Sequence, residues 1–227
     1  GAFPVGMMNE IVRARLNLLE YGYICCKGDI RNSYTYKRHA IERSLYGVDI
    51  EDSAVEIAKL RFWLSLVVDE STSDKINPLP NLDYKIRCAN SLVSISNQGQ
   101  LFENKFKQLS ELENLKKEYI NTSDGRIKRG LKTQIDQILV NLSKGKEFDY
   151  EIFFSEVFHI NRGFDIVIGN PPYVGEKGHK ELFEPIKPCR LGRFYQGKMD
   201  LFYFFFHLAL DLLKPNGVAT FITTNYY

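Results

Sequence analysis

Near the start of the chain, apolar residues recur at helical spacing: Val5, Met8, Ile11, Val12, Leu16 and Leu19, with Gly22 closing the run. This predicts a helix over 4–21. Residues 22–43 are polar, aromatic and basic, with Lys37, Arg38 and Arg43, and read as a loop with a short helix. Residues 44–50 predict a strand ending at Asp49-Ile50. A helix to about Asp69 follows, capped by Ser53, with Glu56 completing a Ser-x-x-Glu capping box. Residues 71–83 hold Asn, Pro and Ser and read as a loop. Residues 84–89 predict a second strand, ended by Asn90-Ser91-Leu92.

The pattern then changes. Heptad-like apolar spacing runs through Leu101, Phe102, Phe106, Leu109, Leu112 and Leu115, then through Ile127, Leu131, Ile135, Ile138 and Leu142. Asn121 to Gly125 separates the two halves, so 99–147 predicts an antiparallel helical hairpin inserted in an α/β domain. Between 103 and 147 there are ten basic and seven acidic residues. The cluster Arg126, Lys128, Arg129 and Lys132 could touch phosphate, but a solvated helix face is the preferred reading. Gly125 to Thr133 has the wrong glycine-to-lysine spacing for a phosphate-binding loop, and no strand precedes it.

Phe164 to Ile168 has the composition of a strand buried on both faces. Residues 174–198 form a basic, glycine-containing loop. Asp200 to Leu213 predicts a buried helix closed by Pro215-Asn216-Gly217, and 218–223 a last strand ending at Thr224-Asn225. Strands alternating with helices predict a mainly parallel sheet.

Composition narrows the class. The chain has 227 residues, 44% of them hydrophobic and 26% charged, which is ordinary for a soluble globular protein. No apolar run approaches the roughly 20 residues of a membrane span. The net charge of +2 carries no global polyanion signal, so nucleic acid would have to meet local patches. The cysteines Cys25, Cys26, Cys88 and Cys189 form no C-x-x-C pair. They read as reduced thiols of a cytoplasmic protein with no metal site. His39, His159, His179 and His207 match no metal or triad spacing and read as surface or packing residues.

The informative chemistry sits where the strand 163–169 stops, at Asn170-Pro171-Pro172-Tyr173. The C-terminal edge of strands is where open α/β sheets bind ligands. Each proline holds the residue before it extended and has no N–H. Such a loop offers carbonyl acceptors and few donors, and the Asn170 amide oxygen adds one more acceptor. That suits a planar –NH2 group. Accepting both of its hydrogens draws the nitrogen lone pair out of conjugation, so the nitrogen becomes nucleophilic without a dedicated base. Tyr173 supplies a flat face for a base to stack on. Asp49 fits the place where an acidic residue ending a second strand accepts hydrogen bonds from ribose, with a capping or turn aspartate as the competing reading, and Ile50 could pack on an adenine ring.

With these residues the chain resembles the S-adenosylmethionine-dependent N6-adenine and related amino-group methyltransferases, whose motif is Asn/Asp-Pro-Pro-Tyr/Phe. Residues 46–66 resemble the second cofactor motif of the large bacterial adenine methyltransferases of type IIG restriction–modification and phage-defence systems. Residues 148–158 resemble the segment before the catalytic strand in that group. Gly1-Ala2-Phe3 is similar to the end of the first cofactor motif. The resemblance implies a Rossmann-like methyltransferase sheet with the helical insertion. It places Ala2 and Phe3 beside the methionine part of S-adenosylmethionine, and Asn90, with Ser91 next to it, at the cofactor adenine, although a turn asparagine competes as a reading of Asn90. Asp200-Leu201-Phe202 resembles the fifth motif, near the transferred methyl, although an Asp helix cap competes as a reading. The family's Gly-rich turn, and the strand before it that lies mid-sheet, are absent here. The resemblance therefore implies part of one catalytic domain, truncated at both ends and inactive alone, with recognition and nuclease domains elsewhere in the full-length chain.

The function so implied is adenine-N6 methylation of double-stranded DNA on a flipped base. Asn170, Pro171, Pro172 and Tyr173 would be catalytic. Lys177, Lys180, Lys187, Arg190, Arg193 and Lys198 would follow the phosphates. Two alternatives stand beside it. One is methylation of release-factor glutamine or ribosomal RNA guanine, whose enzymes share the Asn-Pro-Pro-Tyr loop. The other is a non-catalytic DNA-binding fragment.

Overall fold

The computed structural model describes residues 2–23, 33–69, 82–93, 103–122, 124–143 and 148–224. They fall into two compact units, Gly1–Ala89 with Lys117–Gly130, and Asn90–Lys116 with Leu131–Tyr227.

The first unit holds helices α1 (Ala2–Glu20), α2 (Ser33–Arg43) and α3 (Asp52–Val67), and strands β1 (Gly47–Asp49) and β2 (Ile86–Cys88). The strands pair in parallel, Gly47 opposite Ile86 and Asp49 opposite Cys88. In α3, Val55, Ala58, Phe62 and Leu66 recur at helical spacing. They meet Met8 of α1, Ala40 and Ile41 of α2, and Ile86 of β2 in one buried core. Phe62 is fully buried at its centre. Truncating such a ring to alanine costs about 3–5 kcal/mol. The expected capping box is not formed. Glu51 holds the N-cap position without a side-chain bond, and Ser53 lies inside the first turn. Glu56 pairs instead with Lys59 at 2.7 Å.

Two helices, α4 (Glu103–Asn121) and α5 (Gly125–Ser143), flank the break expected near Asn121–Gly125. Asp124 starts α5 by accepting from the Arg126 and Ile127 amides at 2.7 and 3.3 Å.

The rest of the second unit runs through α6 (Tyr150–Phe153), α7 (Ser155–Asn161), β3 (Phe164–Gly169), α8 (Lys180–Phe183), a 3₁₀ turn (Arg190–Phe194), α9 (Phe202–Leu212) and β4 (Leu213–Phe221). Asp149 caps α6, accepting from the Glu151 and Ile152 amides. The segment is aromatic because it backs the strand: Phe154 and Phe158 meet Phe164 edge to face at 6.3 and 5.6 Å. Lys116 of α4 donates to the Phe153 carbonyl and pairs with Glu156, while Glu113 meets His159 at 3.2 Å. These links pin the α4 residues of this unit onto α6 and α7.

β3 and β4 pair in parallel. Two expectations change here. The expected helix closure at Pro215-Asn216-Gly217 lies within β4, which begins directly after α9. The register jumps from Phe164↔Leu213 to Ile166↔Val218, so Lys214 to Gly217 form an irregularity. Asn216 takes φ 65°, and a Cβ on Gly217 would come within 2.9 Å of the Phe164 carbonyl. The turn chemistry was legible, but the strand passes through it. Second, β3 is not buried on both faces. Ile166 and Ile168 are 49% and 38% exposed, alternating with half-buried Val167 and Gly169. Among the described residues, the face that carries Ile166 and Ile168 is left partly uncovered. Parallel pairing is as expected. Among the described residues the strands form two separate pairs, β1–β2 and β3–β4, rather than one continuous Rossmann-like sheet. No described helix is long and apolar enough to cross a membrane.

Candidate functional site

β3 delivers its C-terminal end through a tight passage. A Cβ on Gly169 would sit 3.0 Å from the Phe221 ring, so β3 and β4 stay close here because glycine occupies this position. The ladder continues one step further, the Ile222 amide donating to the Gly169 carbonyl at 3.1 Å. Beyond it Asn170 is exposed, Pro171 buried and Pro172 exposed. The Pro171 carbonyl accepts no hydrogen bond from the described residues. Tyr173 is 48% exposed, its ring nearly perpendicular to that of Phe202 of α9 at 6.5 Å and 82°. Its hydroxyl lies 3.0 Å from the Asn170 side-chain amide and 2.8 Å from the Ile222 carbonyl oxygen. The loop is thus acceptor-rich, with an aromatic surface open beside it.

Residues 174–200 leave this loop and return to it. An antiparallel bridge joins Gly175 to Asp200. The Leu201 amide donates to the Val174 carbonyl at 2.8 Å, and the Glu176 amide to the Met199 carbonyl at 3.0 Å. Glycine at 175 lets the Asp200 carboxylate lie against the backbone, since a Cβ would come within 2.8 Å of its oxygen. Buried Glu176 fastens the neck, accepting from the Tyr195 hydroxyl and, at 2.6 Å, from the Lys198 amide. The Tyr195 hydroxyl chiefly, and the Lys198 amide after it, hold the Glu176 carboxyl below its usual range against the opposing effect of burial.

Residues 43–227 match the Eco57I restriction-modification methylase family. The chain belongs to that family. A Methanocaldococcus jannaschii protein, provisionally named a type II restriction enzyme and methyltransferase, is 27% identical over 98% of this chain. The chain spans about a quarter of that relative's length (25%).

Within this methylase chain, the residues singled out from the sequence are placed as follows. In the second unit Asn170, Pro171, Pro172, Tyr173 and Asp200 come together through the Gly175–Asp200 bridge. Asp200 does not cap α9, where Leu201 holds the N-cap position. Asn90 makes a local turn, its side-chain oxygen accepting from the Leu92 amide at 3.0 Å. Ser91 is hydrogen-bonded to Tyr150, whose hydroxyl burial pushes up to about 12. In the first unit Asp49 and Ile50 stand at the carboxyl end of the β1–β2 pair. Asp49 is exposed, with one carboxylate oxygen accepting from the Glu51 amide at 3.0 Å. Ile50 is 64% exposed beside it. Ala2 and Phe3 form the first turn of α1.

The six basic residues divide. Arg190 and Arg193 both reach Asp211, at 2.7 and 3.7 Å, and Lys187 pairs with Glu184 at 2.7 Å. Lys177, Lys180 and Lys198 are exposed and make no ion pair among the described residues. No described cluster of His, Cys, Asp or Glu could hold a metal ion. Sequence reasoning missed the Glu176–Tyr195 clasp and the tie from Tyr173 to Ile222. Neither has a local signature, because each joins residues far apart in the chain. Cys25 and Cys26 lie outside the described residues.

Proposed function

We propose that this chain is the catalytic part of a site-specific DNA methyltransferase that modifies N6 of adenine within a restriction–modification system. The observation that carries the reading is the loop at the end of β3: carbonyl and amide acceptors, two prolines without N–H groups, and an exposed tyrosine ring in one short turn. An adenine rotated out of the duplex offers an –NH2 edge and a π face, which that turn complements. Membership of a restriction-modification methylase family favours DNA over release-factor glutamine or ribosomal RNA.

Asn170 and the Pro171 carbonyl would accept the two amine hydrogens and fix the nitrogen's direction. Tyr173 would stack on the ring. Rate enhancement would then come from positioning and from fixed dipoles. The donor set of the first unit suits S-adenosylmethionine: an exposed carboxylate, Asp49, with one oxygen uncommitted, beside exposed apolar Ile50. Asp49 would accept from ribose hydroxyls and Ile50 would cover the cofactor adenine. When bound, S-adenosylmethionine supplies an electrophilic methyl group on a sulfonium. Lys177, Lys180 and Lys198 would meet phosphates. The complete protein would join this activity to site recognition and cleavage, as the relative's name joins restriction and methylation.

The test is Asn170→Ala in the complete protein. Methyl transfer to plasmid DNA should fall about 10²–10³-fold, the effect of losing one preorganised polar group at a reacting centre. Binding of S-adenosylhomocysteine, measured by calorimetry, should persist. Undiminished transfer would refute the assignment.

A further inference from the structure

Tyr173 presents one hydroxyl to two oxygens, the Ile222 carbonyl oxygen at 2.8 Å and Asn170 Oδ1 at 3.0 Å. A phenol has one hydrogen to donate, and a main-chain carbonyl has none. Two oxygens 2.8 Å apart need a hydrogen between them, so the phenol hydrogen belongs to Ile222. With Oδ1 at that second contact, lone pairs face each other with no hydrogen between. It becomes favourable when the amide turns and Nδ2 donates to the phenol oxygen. The two ends of an amide have the same shape, and the surrounding hydrogen bonds decide their orientation.

We propose that the Tyr173 hydroxyl, held by the Ile222 carbonyl, is a positioning group that turns the Asn170 amide so that Oδ1 alone is left for the acceptor base. The polarity starts at an atom that cannot reverse it. It passes from the carbonyl through the hydroxyl to the amide, and emerges as a bare acceptor. Tyr173 thereby has two separable roles: its ring offers a stacking face, and its hydroxyl sets what Asn170 can recognise. The inference rests on the function proposed above and adds to it the source of amine specificity. An amine donor is accepted, while a base with a 6-oxo group meets an acceptor that cannot turn.

The experiment uses Tyr173→Phe in the complete protein, which keeps the ring and removes the hydroxyl. Affinity is measured, with S-adenosylhomocysteine present, for duplexes bearing adenine or hypoxanthine at the target position mapped from methylated plasmid. Melting temperature checks the fold, and little change is expected because the ring is half exposed. Wild type should prefer adenine. In the variant the preference should fall roughly tenfold, the worth of one hydrogen bond, chiefly because hypoxanthine binds better once the amide can present its –NH2. A merely structural role for the hydroxyl would weaken both duplexes equally. An unchanged ratio therefore overturns the relay while leaving the proposed function standing. A wild type that neither distinguishes the two duplexes nor transfers a methyl group overturns the underlying function, and the relay with it.

Discussion

The carboxyl ends of β1 and β3 are built on opposite plans. Both are the ends of a parallel pair, and both present a polar residue at the edge. After β1 the chain turns at once into α3, and Asp49 is held by a bond to an amide two residues away. After β3 the chain runs through 174–200 before α9 begins, and its candidate site is held by partners far along the sequence. Tyr173 is tied to Ile222, Glu176 to Tyr195, and Gly175 to Asp200. The first plan is local and tolerates change without disturbing its surroundings. The second makes each side chain depend on a distant one, which suits a site that must hold one geometry.

The two plans predict different mutant behaviour. The largest effect is expected for Asn170→Ala, with its loss of methyl transfer. Next is Asp49→Ala. Removing a charged acceptor for ribose hydroxyls should weaken cofactor binding about tenfold to hundredfold. Because Asp49 makes a local turn bond among the described residues, melting temperature and rate at saturating cofactor should hardly move. A large drop in melting temperature would erase the contrast between the two edges.

Glu176→Gln should act in the opposite sense, on structure more than on affinity. The amide places donors against the Tyr195 hydroxyl or the Lys198 N–H, so the neck of 174–200 should loosen and protease should cut there several-fold faster. Acid should do the same to the native protein. Glu176 is held below its ordinary value of 4.5, so the folded form binds fewer protons than the unfolded chain near that pH. The clasp's contribution is present above pH 4.5 and is lost as pH falls through the lowered value. The protection factor of the Lys198 amide hydrogen, its exchange rate corrected for the intrinsic pH dependence and followed from about pH 6 to about pH 3, should fall only at the acid end. Protection lost from near neutrality would implicate another group.

The smallest effects separate the basic residues. Alanine at Lys177, Lys180 or Lys198 should each reduce the slope of log affinity for DNA against log salt by roughly 0.9. Alanine at Arg190 should leave the slope alone and lower stability instead, because its partner Asp211 would lose a bond at 2.7 Å. An equal slope change in all four would return Arg190 to the phosphate contacts.

Local chemistry was largely readable from the residues. The α1 spacing, the apolar face of α9 and the break between α4 and α5 follow from periodicity and turn residues. Asn170 to Tyr173 stand out because two prolines and an amide dictate their own conformation and polarity. What depends on tertiary neighbours was not readable. An apolar run such as Phe164 to Ile168 looks the same whether one face or two are covered, and here, among the described residues, Ile166 and Ile168 are left exposed. Ser53 and Glu56 have capping-box spacing, but Lys59 takes Glu56 away. Lys187, Arg190 and Arg193 read as part of one basic loop because their partners Glu184, Asp211 and Tyr195 gain meaning only once 174–212 is folded.

The most direct measurement is to incubate the complete protein with duplex DNA and methyl-labelled S-adenosylmethionine, digest the DNA to nucleosides and identify the labelled one by mass. An acceptor loop that grips an exocyclic amine beside a stacking tyrosine predicts N6-methyladenine, with the signal abolished by Asn170→Ala. Label on a ring carbon, on cytosine, or in protein rather than DNA would contradict it.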